Sequence, residues 1–126
     1  MEIQTIIGLG SNIDSERYIP LALTELATLG TVLKVSEVLT TKPIGISDQN
    51  DFANAVVLLS VDSTYENLNE QLKLIEDKLG RDRSRPKFGP REIDLDIVMY
   101  NNKITDDDYY TRDFLQELVA QVWAKK

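Results

Sequence analysis

The sequence predicts an α+β fold, an antiparallel sheet carrying helices, and three observations point to it. Runs rich in β-branched and aliphatic residues recur at 2–8, 31–41, 52–61 and around 92–97. Between them lie two stretches whose apolar residues repeat at helical spacing, and a third follows near the C-terminus. No low-complexity tract, internal repeat or linker interrupts the 126 residues, a length that suits one domain, 1–126.

Taken in order, "EIQTIIG" (2–8) reads as a strand ending at a glycine turn, Gly8-Leu9-Gly10-Ser11-Asn12. Ile19, Ala22, Leu23 and Leu26 then mark a helix from about Pro20 to Leu29. Pro20 suits its first turn and Gly30 its stop. "TVLKVSEVLTT" (31–41) reads as a single strand, and "KPIGISDQND" as a loop long enough to suggest function. "FANAVVLLSV" (52–61) is nearly all apolar, which places it centrally in the sheet. Ser63 and Glu66 form a capping-box signature. Leu68, Leu72, Ile75 and Leu79 lie on one face of the helix that follows, closed by Gly80. After a basic loop and an acidic strand, Phe114, Leu115, Leu118, Val119 and Val122 give a final helix. The order β-α-β-β-α-β is the ferredoxin-like plan: four antiparallel strands, two helices on one face, and here an added C-terminal helix.

Composition removes whole classes of function. Without cysteine there is no disulfide, thiolate metal site or Cys nucleophile; without histidine the commonest general base and zinc ligand are missing. The longest apolar run, Ala55 to Leu59, is far too short to span a membrane, and the N-terminus lacks a signal-peptide pattern, so a cytoplasmic location is expected. A net charge of −7 argues against a nucleic-acid surface. The RNA-binding variant of this plan would also need aromatics on its central strands, where only Phe52 stands.

The charge is unevenly placed. "RDRSRPKFGPR" (81–91) sets Arg81, Arg83, Arg85, Lys87 and Arg91 against only Asp82, a +4 window in an acidic chain. Directly after it, Glu92, Asp94 and Asp96 alternate with Ile93, Leu95 and Ile97, one acidic and one aliphatic face of a strand. Asp is a poor strand former, so a solvated face is the plain explanation and a metal platform the sharper one. Carboxylates roughly 6.6 Å apart, at ~3.3 Å per residue, can share hard cations such as Mg²⁺. Guanidiniums nearby bind phosphate oxygens bidentately. Together they are the parts for phosphoryl transfer, which needs no protein nucleophile.

"GLGSN" after the first strand, "TTKPIG" and "DQNDFANAVV" around the long loop, "IEDKLGRDR" and "FGPREIDLDI" occur in order over roughly residues 5 to 100. In these motifs the chain resembles the 6-hydroxymethyl-7,8-dihydropterin pyrophosphokinases of folate biosynthesis, as a short member with a reduced third loop and C-terminus. The resemblance implies a ferredoxin-like core and transfer of the diphosphoryl unit of ATP to the pterin hydroxymethyl, releasing AMP. ATP is the co-substrate and two Mg²⁺ ions assist. It makes Asp94 and Asp96 the metal ligands, with Arg81 and Arg91 acting on the phosphates. Lys73, Glu76, Arg83, Lys87, Ile97 and Arg112 fall where the nucleotide lies. Thr41, Ile44, Gly45, Phe52, Asn54 and Phe114 fall where the pterin is held, with Phe52 and Phe114 as stacking rings. The expected partners are these small molecules, with no nucleic acid and no membrane, and the expected state is a monomer.

The chain departs from the family in its third loop. "NNKITDDDYYTRDF" is short, lacks the usual Pro-His pair and carries Asp106, Asp107 and Asp108; Arg112 and Phe114 keep their two-residue spacing. Phe88 replaces a common Trp and Lys42 a common Pro. The competing reading is a catalytically weak paralogue that binds pterin or nucleotide as a regulatory module.

Overall fold

The structure is a computed structural model that describes residues 2–42, 48–80, 84 and 90–123. Its elements run β1 (Ile3–Ser11), α1 (Ser15–Leu26), β2 (Gly30–Val35), β3 (Leu39–Thr41), β4 (Phe52–Val61) and α2 (Tyr65–Lys78). They continue as β5 (Asp94–Tyr100), β6 (Lys103–Ile104), α3 (Asp108–Thr111) and α4 (Asp113–Val122). The α+β class is as expected, but the antiparallel sheet has six strands rather than four. Its order is β2-β4-β1-β5-β6, with β3 also paired to β4.

Two layers of side chains hold the sheet. On one face Ile7, Leu9, Val57, Leu59, Leu95 and Ile97 pack against Ile19, Ala22 and Leu26 of α1 and Leu68, Leu72 and Ile75 of α2. Each buried Val, Leu or Ile among them contributes about 1.5–3 kcal/mol relative to its exposed state. On the other face Ile6, Val56, Leu58, Val98 and Met99 pack against Leu115, Leu118, Val119 and Val122 of α4. Where β5 meets β1 the register slips between Ile6 and Ile7, so Val98 is a bulge residue. The bulge lets Asp94, Asp96 and Val98 face α4 while Tyr100 turns to the α1/α2 layer.

Several element limits differ from the sequence reading. The glycine stretch 8–11 is no turn: Gly8 and Gly10 stay in β1, paired on both sides with β4 and β5. Helix α1 starts at Ser15, because its solvent-facing first turn carries no apolar period to reveal it; Pro20 lies inside, on the exposed side. Gly30 opens β2 rather than closing α1, since a Cβ there would lie 2.1 Å from Ser60 O. The run 31–41 is two strands. Ser36 breaks it yet stays attached, donating its N–H to Val56 O (2.9 Å) and accepting the Val56 N–H on Oγ (2.8 Å). The cap of α2 is Thr64, not Ser63; its Oγ1 accepts the Asn67 N–H at 3.2 Å.

Candidate active site

A concavity opens on the α4 face of the sheet, over the C-terminal end of β1. Its floor is a cross-strand row in register: Asn54 of β4, Gly10 of β1 and Asp94 of β5. The next row is Val56, Gly8 and Asp96. Phe114 and Leu118 of α4 form one wall, and Asp106, Asp108 and Arg112 the rim beside Asp96. The two aspartates reach this face because side chains alternate along a strand, which sends Leu95 and Ile97 into the opposite core.

Electrostatics concentrate at Asp96. Asp96 keeps contact with solvent at the concavity, while the protein around its carboxyl removes part of its hydration. Lost hydration, then the charges of Asp94 and Asp106, a hydrogen bond shared with Asp94, and the charge of Glu76 push it from 3.8 up to about 7. Asp106 is also raised, chiefly by burial, although the Asp108 N–H donated to its Oδ1 (3.0 Å) works the other way. Asp94 accepts from Arg91 Nη1 at 3.1 Å, and the Arg91 guanidinium stands 5.6 Å from the Phe52 ring centroid. Arg112 pairs with Asp108 at 3.5 Å.

Thr41, Phe52 and Asn54 gather on β3 and β4. Asn54 Nδ2 donates to Thr41 Oγ1 at 2.7 Å, and the amide oxygen faces Gly10. Phe52 shares the face of Asn54, two residues away along β4.

A family model described as 7,8-dihydro-6-hydroxymethylpterin-pyrophosphokinase (HPPK) matches residues 6–124. The chain belongs to the HPPK family. It is 40% identical over 100 residues to the 2-amino-4-hydroxy-6-hydroxymethyldihydropteridine pyrophosphokinase of Bacillus subtilis, covering 77% of this chain and 59% of that protein. To the Aquifex aeolicus protein of the same name it is 35% identical over 99 residues, 78% of this chain and 61% of that one. To the Haemophilus influenzae protein the figures are 33% over 112 residues, 86% and 69%. The matches to the Bacillus and Aquifex proteins thus span about three fifths of those relatives' length.

Of the residues an HPPK resemblance singles out, the structure brings Asp94, Asp96, Asn54, Arg112 and Phe114 around one concavity, with Phe52, Thr41 and Arg91 adjoining them. Three others lie elsewhere. Lys73 is exposed on α2, the helix packed on the opposite face. Ile97 is buried in that same core, so only its backbone lies near the aspartate face; its carbonyl accepts the Thr105 hydroxyl at 2.9 Å. Glu76 is only 2% exposed, and its Oε2 accepts the Leu95 N–H at 2.7 Å. Ile44, Gly45, Arg81, Arg83 and Lys87 lie outside the described residues.

Glu92 does not share the acidic face. The strand begins at Asp94, and the turn before it leaves Glu92 buried, with its Cγ against Gly80. Sequence reasoning gave no role to Asn12, a buried residue at the end of β1. Its Nδ2 donates to Gln49 Oε1 (2.8 Å) and Asn50 O (3.0 Å), and its Oδ1 accepts the Arg91 N–H (2.9 Å). Its presence in "GLGSN" was the available signal. Of the three loop aspartates, Asp106 and Asp108 line the concavity and Asp107 is exposed.

Proposed function

We propose that this chain transfers the β,γ-diphosphoryl unit of ATP to the hydroxymethyl oxygen of 6-hydroxymethyl-7,8-dihydropterin. The new bond joins that oxygen to Pβ, the bond from Pβ to the α,β-bridging oxygen breaks, AMP leaves, and the hydroxyl proton is released. The observation that carries this reading is the row Asn54–Gly10–Asp94. It sets an amide for a heterocycle edge and a carboxylate for a phosphate-bound cation on either side of an open floor. Neighbouring strands are ~4.8 Å apart, so these groups stand roughly two strand spacings from each other, a span suited to a bicyclic ring and its hydroxymethyl arm.

Asp94 and Asp96 fit a divalent cation. Two carboxylates close enough to share a proton are the arrangement a cation relieves, and hard oxygen donors are what Mg²⁺ takes. Among the described residues no third Asp, Glu, His or Cys completes a metal cage with them, which leaves room for substrate oxygens. Two Mg²⁺ ions would be held there and would offset charge on the triphosphate. Arg91, oriented by Asp94, would donate to the transferred phosphates, and Arg112 to the nucleotide across the concavity. Phe52 and Phe114 would sandwich the pterin, Asn54 hydrogen-bonds its edge, and Thr41 holds the Asn54 amide in position. Glu76 supports the site from beneath, through Leu95 between the two aspartates.

In the same reading the four longest paired strands and two helices form a ferredoxin-like nucleus, extended by β3 and β6. The protein works as a cytoplasmic monomer on small molecules, without nucleic acid. One observation favours the weaker, ligand-binding paralogue: Asp106 and Asp108 face the place where a triphosphate would lie and repel it. An assay of AMP release with MgATP and hydroxymethyldihydropterin separates the two. AMP formation lost in Asp94→Ala and Asp96→Ala supports the transferase; pterin binding without AMP supports the binding module; binding of neither ligand rejects both.

A further inference from the structure

We infer that Gly10 is a specificity-determining residue, whose missing side chain reserves space for the planar ring of the substrate. The inference rests on the proposed pterin reading and deepens it.

A glycine inside a strand is unfavourable for folding, so its presence calls for a cause. One cause would be a backbone angle that other residues avoid, but among the described glycines only Gly80 has a positive φ. A second would be crowding. At Gly10 an added methyl would sit 3.5 Å from Asn54 Oδ1 and 4.0 Å from Phe52 Cδ1, ordinary van der Waals distances. The folded chain therefore accommodates alanine at this position. Gly8, one row along, differs: a methyl there would lie 3.2 Å from Val98 Cγ2, and the core would have to give. The fold accounts for Gly8 and leaves Gly10 unexplained.

The surroundings of Gly10 supply the cause. It lies between Asn54 and Asp94 in register, and the methyl it lacks would rise into the concavity beside the Asn54 carbonyl oxygen and the Phe52 ring. Those two groups are what a flat heterocycle with N–H donors on its edge would use: an acceptor for the edge and a ring for the face. A methyl between them would lift the ring off the floor, weaken both contacts, and move the hydroxymethyl arm away from Asp94. The glycine thus selects for a thin planar ring seated directly on the sheet.

The test is Gly10→Ala with Gly8→Ala beside it, measured for thermal midpoint and by calorimetry with a non-hydrolysable MgATP analogue, then with hydroxymethyldihydropterin added. The expected result for Gly10→Ala is a thermal midpoint equal to or above that of the parent chain, nucleotide affinity within about twofold, and pterin affinity lowered roughly tenfold or more, the scale of one misplaced methyl in a fitted pocket. Gly8→Ala is expected to lower the thermal midpoint. Unchanged pterin affinity in Gly10→Ala overturns the inference while leaving the proposed function standing. A lowered thermal midpoint in that variant overturns it too, because the glycine then serves the fold. Absence of pterin binding in the parent chain removes the functional reading and the inference with it.

Discussion

Asn12 and Arg91 are joined twice: the Asn12 N–H donates to Arg91 O at 3.2 Å, and the Arg91 N–H donates to Asn12 Oδ1 at 2.9 Å. The same side chain donates to Gln49 and Asn50, so the end of β1 ties the long loop before β4 to the residue whose guanidinium holds Asp94. Asn12→Ala strands the Arg91 N–H and frees both segments. Chemical denaturation is expected to show a loss of about 1–3 kcal/mol. AMP release should fall further than this loss of stability explains, because Arg91 loses its placement. Asn12→Asp keeps the acceptor and should restore part of the stability.

Removing either aspartate of the pair tests the proposed cation platform. Asp94→Ala and Asp96→Ala are each expected to lower the rate of AMP release by roughly a hundredfold or more, the scale at which one charge-stabilising group acts. Asp94→Ala should also loosen Arg91, which it holds at 3.1 Å. Full activity in both variants would exclude the proposed role.

The raised carboxyl of Asp96 predicts a pH dependence of defined sign. Its folded value of about 7 exceeds the ordinary 3.8, so the folded state holds a proton that the unfolded chain releases. That advantage is complete below about pH 4 and is lost as pH rises through 7. In the absence of divalent cations the thermal midpoint should therefore fall between pH 5 and pH 8, and Asp96→Asn should flatten that slope. Added Mg²⁺ competes with the proton, so its stabilising effect should grow with pH over the same window. An equal Mg²⁺ effect at pH 5 and pH 8 would place the cation elsewhere.

Glu76 satisfies an edge. Strand β6 pairs only with Met99 and Tyr100 of β5, and the Leu95 N–H, further back on β5, is met by the buried Glu76 carboxylate. Glu76→Ala leaves that donor unpaired at a cost of about 1–3 kcal/mol, readable by denaturation. Glu76→Gln retains an acceptor and should recover most of it.

Asp106 tests whether the short third loop slows the proposed reaction. It lines the concavity and raises Asp96 through its charge. Asp106→Asn is expected to tighten MgATP binding severalfold, in keeping with relief of one partly screened repulsion worth about 1 kcal/mol. A weakened affinity would show instead that Asp106 helps hold the cation.

Much of this was legible in the residues themselves. The strand at 52–61 and the buried faces of α2 and α4 follow from apolar spacing, a local property of i, i+2 and i, i+4 positions. So does the pairing of Asp94 with Asp96 on the face away from Leu95 and Ile97. Where the reading failed, a local signal met a stronger non-local one. Gly8 and Gly10 look like a turn but are held extended by strands on both sides. Glu92 continues the alternation in sequence, yet it precedes the strand and is folded inward.

The sequence by itself determined the strand at 52–61, the buried faces of α2 and α4, the two-carboxylate strand and the motifs of the family, because each is written in residues close together along the chain. The tertiary structure alone decided that Asn54, Gly10 and Asp94 share one row, that Asn12 grips Arg91 across 79 positions, and that Glu76 sits beneath Leu95. Strand register and burial depend on how all the layers pack at once, and no local period encodes them.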